Sequence, residues 1–188
     1  MKPKLKFLAL AALFAAPLLA AWLFFFVYPE WQPGSHTNYG TLVSPARPLP
    51  DVAYSDRTGA TVGFPTGKWT LVYLAGRDCD ASCDQRVLLA RQVRLSLNQN
   101  RERLLRLYLA PDAAALASAR SKLAAAHPDQ LFLSAPGAAL ARFFAPADPQ
   151  ALYLVDPLGN WLMTYGGEIE PRGLLKDLKK LLRFSQVG

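Results

Sequence analysis

Hydrophobic positions divide the chain into one long unbroken apolar run and a later stretch where short apolar segments alternate with mixed ones. From Phe7 to Tyr28 no residue is charged, and Phe, Leu, Ala and Val dominate. Wound as a helix at about 1.5 Å per residue, that run reaches about 33 Å, enough to cross a bilayer core. A membrane-spanning helix is therefore predicted, with Pro17 as a mid-helix kink of the kind membrane helices tolerate. Lys2, Lys4 and Lys6 precede the run and no basic residue follows until Arg47. The positive-inside tendency then keeps the amino end in the cytoplasm and turns the remainder outward. A cleavable signal is the competing reading, because Ala15, Ala16, Ala20 and Ala21 are small enough for a peptidase. The apolar continuation from Trp22 to Val27 favours a retained anchor. Trp22, Tyr28 and Trp31 suit an aromatic belt at the membrane boundary.

From Lys68 onward the pattern alternates. Trp69 to Ala75 is short, continuous and apolar, as expected of a central strand covered on both faces. Asp84 to about Asn98 has helical spacing through Val87, Leu88 and Leu95, and Leu104 to Ala110 is a second buried strand. Pro111 and Asp112 open a helix to about Ala126, rich in alanine. Leu131 to Leu133 is a short strand and Ala138 to Phe144 a short helix. Ala151 to Val155 and Trp161 to Tyr165 flank the turn Asp156-Pro-Leu-Gly-Asn160 and are predicted to pair antiparallel. Leu174 to Phe184 closes the chain as an amphipathic helix with lysines outward.

Upstream, Pro29 to Pro65 is proline-rich and lacks long periodicity, so it is read as a tether. Gly40 to Val43, Val52 to Tyr54 and Gly59 to Phe64 are expected to form short edge strands or a hairpin, bounded by proline. Three segments result: a cytoplasmic stub and anchor over 1–28, the tether over 29–65, and a folded domain over 66–188. The domain's order is strand, helix, strand, helix, short strand and helix, hairpin, helix. That is the order of the thioredoxin-like α/β fold, with three layers.

Charge excludes one class of partner. Three of the 21 basic residues precede the span and all 14 acids follow it, leaving the outer part a mild excess of four positive charges. Arg86, Arg91, Arg94, Arg101, Arg103 and Arg106 are read as the solvated face of a helix and its following loop. No basic stripe with interleaved aromatics is present, so nucleic-acid binding is not expected. Trp69, Trp161, Phe132, Phe143 and Phe144 are assigned to the core.

Candidate chemistry is concentrated in Cys79 and Cys83, the only cysteines, within Gly76 to Asp84 where the first central strand hands over to a helix. A helix amino terminus presents unpaired amides and partial positive charge, which favour a thiolate. Arg77 and Arg86 push the same way, while Asp78, Asp80 and Asp84 oppose them. On a helix, residues four apart share a face, with Cα atoms about 6 Å apart, near the span of a disulfide. A reversible bridge, a two-thiolate clamp for Cu(I) and a permanent bridge in an oxidising compartment all satisfy this spacing. The small loop gives a permanent bridge little entropic value. His36 is read as solvent-exposed in the tether, and His127, before Pro128 and Asp129, as a solvated helix cap. The chain has no protease-like nucleophile pattern, glycine-rich phosphate loop, paired-cysteine zinc array or acidic calcium loop.

Gly67-Lys68, Leu71, Tyr73 and Cys79-x-x-x-Cys83, together with Leu152-Tyr-Leu-Val-Asp-Pro157 and Gly159, resemble the Sco/SenC proteins. These are membrane-anchored, thioredoxin-like factors that deliver copper or reducing equivalents to cytochrome c oxidase during its assembly. In element order the resemblance covers roughly residues 40–185. It implies Cys79 and Cys83 as thiol–disulfide or Cu(I) residues; Cys79 is expected to be the attacking thiol, because the more amino-terminal thiol of such a pair is usually the exposed one. It also implies a partner that is an oxidase subunit or a copper or thiol donor, and a periplasmic domain held at the inner membrane by a single span. Two departures stand out. Asp148 occupies the place of the family's third copper ligand, a histidine, and Asp80 and Asp84 replace the prolines that often follow each cysteine. Pro149 lies near the position where such folds set a cis-proline facing the dithiol. The expected function is a Sco-like assembly factor, and the alternative is a thioredoxin-fold docking module with an inert bridge.

Overall fold

The computed structural model describes residues 3–27, 38–148 and 150–185. These fall into two compact units divided between residues 37 and 38. The described residues of the first form helix α1 (Pro3–Phe26), with Pro17 inside it and no buried residue. Its mean hydropathy of 2.3 and its 24 residues make it long and apolar enough to cross a membrane. His36, Tyr28, Trp31 and Pro149 lie outside the described residues.

The second unit is a mixed sheet with helices on both faces. Its strands are β1 (Thr41–Pro48), β2 (Tyr54–Ser55), β3 (Thr61–Val62), β4 (Trp69–Leu74), β5 (Leu104–Ala110), β6 (Gln130–Ser134), β7 (Leu152–Val155) and β8 (Asn160–Tyr165). Across the sheet they run β1-β8-β7-β4-β5-β6-β2-β3. The central strands β4, β5 and β6 are parallel, β7 pairs with β4 antiparallel, and β8 pairs antiparallel with β7. The helices are α2 (Ala81–Leu95), α3 (Ala113–Leu123), α4 (Gly137–Phe143) and α5 (Pro171–Phe184).

Strand periodicity of two sorts the core into two layers. Leu71, Tyr73, Leu104, Tyr108, Leu154 and Met163 face α2, α3 and α5, whose buried residues include Val87, Leu116 and Leu178. Val72, Leu107, Leu109, Tyr153 and Val155 face the other way, onto α4, Phe144, Trp161 and Tyr54. The core assigned from sequence holds for Trp69, Trp161 and Phe144, while Phe132 and Phe143 are half-buried. In the β7–β8 turn the Asp156 carboxylate accepts the Leu158 and Asn160 amides, and Gly159 takes the left-handed backbone (φ 87°) that closes it.

Several expectations need correction. Helix α2 begins at Ala81 rather than Asp84, because the Asp80 side chain accepts the Cys83 amide at 2.9 Å and caps the first turn. Its buried stripe is Cys83, Val87, Ala90 and Val93, spaced by four, three and three. Leu88 and Leu95, which carried the helical spacing in the sequence, are exposed. Helix α3 ends at Leu123, earlier than about Ala126. Arg106 is no solvated loop residue: it sits in β5, 1% exposed, ion-paired with Asp129. Arg94 reaches the same carboxylate at 2.6 Å. His127 is also buried, 4% exposed, where a solvated cap was expected. Desolvation, followed by the charges of Arg106 and Arg91, holds its imidazole below the ordinary histidine range.

The start of this unit is fastened to its end. Buried Asp177 on α5 accepts the Tyr39 amide at 2.8 Å, the Gly40 amide at 3.0 Å and the Tyr165 hydroxyl at 3.2 Å. Burial and then the Asp177 charge push the Tyr165 phenol far upward, so it remains a donor. A Cβ on Gly40 would fall 2.6 Å from the Tyr165 ring, which explains a residue without one there.

Candidate redox site

The end of β4 delivers the chain to the site. Ala75 donates to the Leu109 carbonyl of β5 at 2.9 Å, the last tie before Gly76 to Asp78 turn away into solvent. Cys79 then precedes the Asp80 cap, and Cys83 is the third residue of α2. The two form a disulfide with Cα atoms 5.2 Å apart. The pair therefore straddles the start of the helix instead of sharing a helical face, and the cap's extended backbone closes the gap. Cys79 is half-buried, whereas Cys83 is 2% exposed and packs in the core.

The surroundings differ from a simple cluster of charges. The Asp80 carboxylate accepts from the Cys83 amide and, at 2.8 Å, from the Ser82 hydroxyl, and these bonds hold it below the usual carboxylate range. It thus places a fixed anion between the two cysteines in sequence and takes up a helix-start amide that a thiolate would otherwise use. Asp78, Asp84 and Arg77 are exposed. Arg86 does not point at sulfur: its guanidinium donates to the Gly167 carbonyl and, at 3.5 Å, to Gln150 Oε1. Lys122 of α3 donates to the Cys79 carbonyl at 3.4 Å. Beneath the bridge, the Tyr108 hydroxyl lies 3.9 Å from Cys83 Sγ.

Asp148 performs a different task from a metal ligand. One carboxylate oxygen accepts the Gln150 amide at 2.8 Å and the other the Gly167 amide at 3.1 Å. Its own amide donates to the Tyr153 hydroxyl at 3.1 Å. The carboxylate is thereby spent on joining the loop before β7 to the loop after β8. His127 does not reach the dithiol either. It precedes Gln130 at the start of β6, while the cysteines follow the end of the parallel strand β4. Among the described residues no group of three or more His, Cys, Asp or Glu side chains can hold a metal ion. Two sulfurs alone do not fit a three-ligand copper site.

Comparisons with known proteins bear on this arrangement. The profile of a family described as "Transmembrane-like, thioredoxin-like, C-terminal domain" matches residues 69–185, more than half of the chain. The chain belongs to this family. No match to its sequence was found among curated proteins. The transmembrane-like, thioredoxin-like domain is also similar in fold to solved Sco structures. Copper-bound yeast Sco1 superposes with a TM-score of 0.59 at 18% identity, over 76% of this chain and 96% of that one. Apo Sco1 from Thermus thermophilus gives 0.57 at 19% identity, over 79% and 99%. BsSco, described as a member of the Sco family of cytochrome c oxidase assembly proteins with a disulfide switch, gives 0.57 at 12% identity, over 77% and 99%. At these identities the likeness establishes the fold. The expected thioredoxin-like α/β architecture and the Sco/SenC resemblance both stand.

Sequence reasoning missed Tyr108. The available signal was a lone phenol in a buried strand whose other members are leucines, an alanine and Arg106, since a buried hydroxyl needs a partner.

Proposed function

We propose that this chain is a membrane-anchored, Sco-like dithiol factor that acts in cytochrome c oxidase assembly by thiol–disulfide exchange. The observation that carries the reading is the unequal placement of the pair: a half-buried Cys79 beside a buried Cys83 at the strand-to-helix junction. In the reduced state the Cys79 thiolate attacks one sulfur of a client disulfide, forming a mixed disulfide and releasing one client thiolate. The Cys83 thiolate then attacks Cys79 Sγ, closing the bridge and releasing the second client thiolate. Two electrons pass to the client, and a thiol donor restores the dithiol. The reverse sequence oxidises a client dithiol.

The apolar α1 supports a membrane anchor, and the positive-inside tendency of Lys2, Lys4 and Lys6 supports a periplasmic domain that faces the oxidase subunit. Copper enters as cargo at most. Several Sco relatives are solved with copper bound, and two thiolates can accept Cu(I) from a donor and pass it on by ligand exchange. With Asp148 engaged elsewhere, nothing in this donor set favours long retention.

The deciding experiment incubates the reduced full-length chain in detergent with an oxidised peptide bearing an oxidase-type paired-cysteine copper site. Transfer of the disulfide to Cys79 and Cys83, followed by mass spectrometry, is the expected result. A bridge that no thiol opens and no peptide disulfide restores would leave the docking module with an inert disulfide as the function.

A further inference from the structure

The phenol of Tyr108 is fully buried in β5, and its one hydrogen-bond partner among the described residues is Cys83 Sγ, 3.9 Å away. The strand register fixes this placement. Tyr73 of β4, Tyr108 and Phe132 of β6 are paired across three adjacent parallel strands, with ring centroids 5.7 and 5.6 Å apart. A ring held on both sides by neighbouring rings has little freedom to swing, so its hydroxyl stays aimed at the sulfur.

We propose that Tyr108 is the positioning residue of the dithiol: its hydroxyl donates to Cys83 Sγ and holds the thiolate that forms there when the bridge opens. This inference rests on the exchange reading. An incoming thiolate reaches the half-exposed Cys79 Sγ and bonds to it. The Cys79–Cys83 bond breaks, and its electron pair goes to Cys83 Sγ. That leaving group is buried, so solvent cannot stabilise it, and an uncompensated buried anion is costly. A neutral disulfide sulfur is a weak acceptor and a thiolate a strong one, so the Tyr108 bond tightens as the charge appears. No proton needs to leave the phenol. Burial, with the Tyr73 hydroxyl and the Asp78 charge added, raises its pKa and keeps it a donor. The same bond favours the reduced state and speeds opening of the bridge.

Two measurements test this, one of them independent of exchange. In Cys79→Ala protein, full-length and in detergent, the Cys83 thiolate is titrated by its absorbance near 240 nm, with and without Tyr108→Phe. The Phe variant is expected to raise the Cys83 pKa by about one unit, the worth of one charge-assisted hydrogen bond. With both cysteines present, Tyr108→Phe is expected to shift the equilibrium with a glutathione buffer up to about tenfold toward the disulfide, about 30 mV for this two-electron couple. Opening by dithiothreitol slows alongside. Tyr73→Phe, which removes the neighbouring phenol, leaves the Cys83 pKa unchanged. If Tyr108→Phe does not fold, difluorotyrosine at position 108 serves instead: a stronger donor of the same shape lowers the Cys83 pKa. A Cys83 pKa indifferent to either change overturns the assignment of Tyr108. A reduced wild-type dithiol that exchanges with no client disulfide overturns the exchange reading, while the titration still reports on Tyr108.

Discussion

The Asp148 carboxylate accepts the Gly167 amide at 3.1 Å and so ties the loop before β7 to the loop after β8. With the Gln150 amide on its other oxygen, the side chain spans both sides of the hairpin's open end. Asp148→Ala is expected to cost about 1–2 kcal/mol, the loss of hydrogen bonds to a partly exposed charged acceptor. Asp148→Asn, which keeps one acceptor, loses less. Urea midpoints of the two variants compared with the parent check the order.

The same occupancy of Asp148 bears on copper. The reduced chain is expected to surrender Cu(I) readily to a competing chelator, because two sulfurs give it no third donor. Cys83→Ala removes what retention there is. Competition titration of the reduced full chain measures both, and tight retention that survives Cys83→Ala contradicts this picture.

The two cysteines are expected to behave unequally. Cys83→Ser leaves the half-exposed Cys79 able to attack but without a resolving thiol, so a mixed disulfide with the client accumulates. Cys79→Ser leaves only the buried sulfur and forms none. Non-reducing electrophoresis with the client peptide separates the outcomes.

Asp80 offers a way to speed attack without losing the helix start. Asp80→Asn retains an oxygen for the Cys83 amide while removing a negative charge beside Cys79. The expected result is a lower Cys79 pKa and faster reaction with iodoacetamide at pH 6. The depressed carboxylate also has a signature in stability. Its contribution is present above the ordinary aspartate value near 3.8 and is lost as pH falls through the lower folded value.

His127 adds a step at higher pH to the same loss of stability on acidification. Its imidazole is held neutral by burial and by Arg106 and Arg91, against the opposing charges of Asp84 and Asp129. The unfolded chain therefore binds a proton near pH 6.5 that the folded chain refuses, and stability falls as pH drops from about 6.5 toward the lower folded value. Thermal melts of the parent between pH 7.5 and 5 are expected to decline, and His127→Gln flattens that decline.

How much of this was legible beforehand varies by element. The strands β4, β5, β7 and β8 were readable because each is a short apolar run closed by turn residues, and the Asp156 to Asn160 turn fixed the hairpin. The start of α2 was not readable: Asp78, Asp80 and Asp84 all suit a cap, and backbone geometry alone chooses Asp80. Arg106 and His127 were misplaced because charge and polarity argue for solvent. Their burial depends on Asp129 and on strand register, which no local window contains. Tyr108 was hidden for the same reason, since its partner lies 25 residues away on another element.

The outermost strands carry a final consequence. One rim of the sheet ends in β3, only two residues long, and the other in β1, interrupted by Pro45 and closed by Pro48. Neither offers a continuous ladder of free amides to a foreign chain. Copies of this domain crowded together thus lack the template for runaway stacking into fibrils.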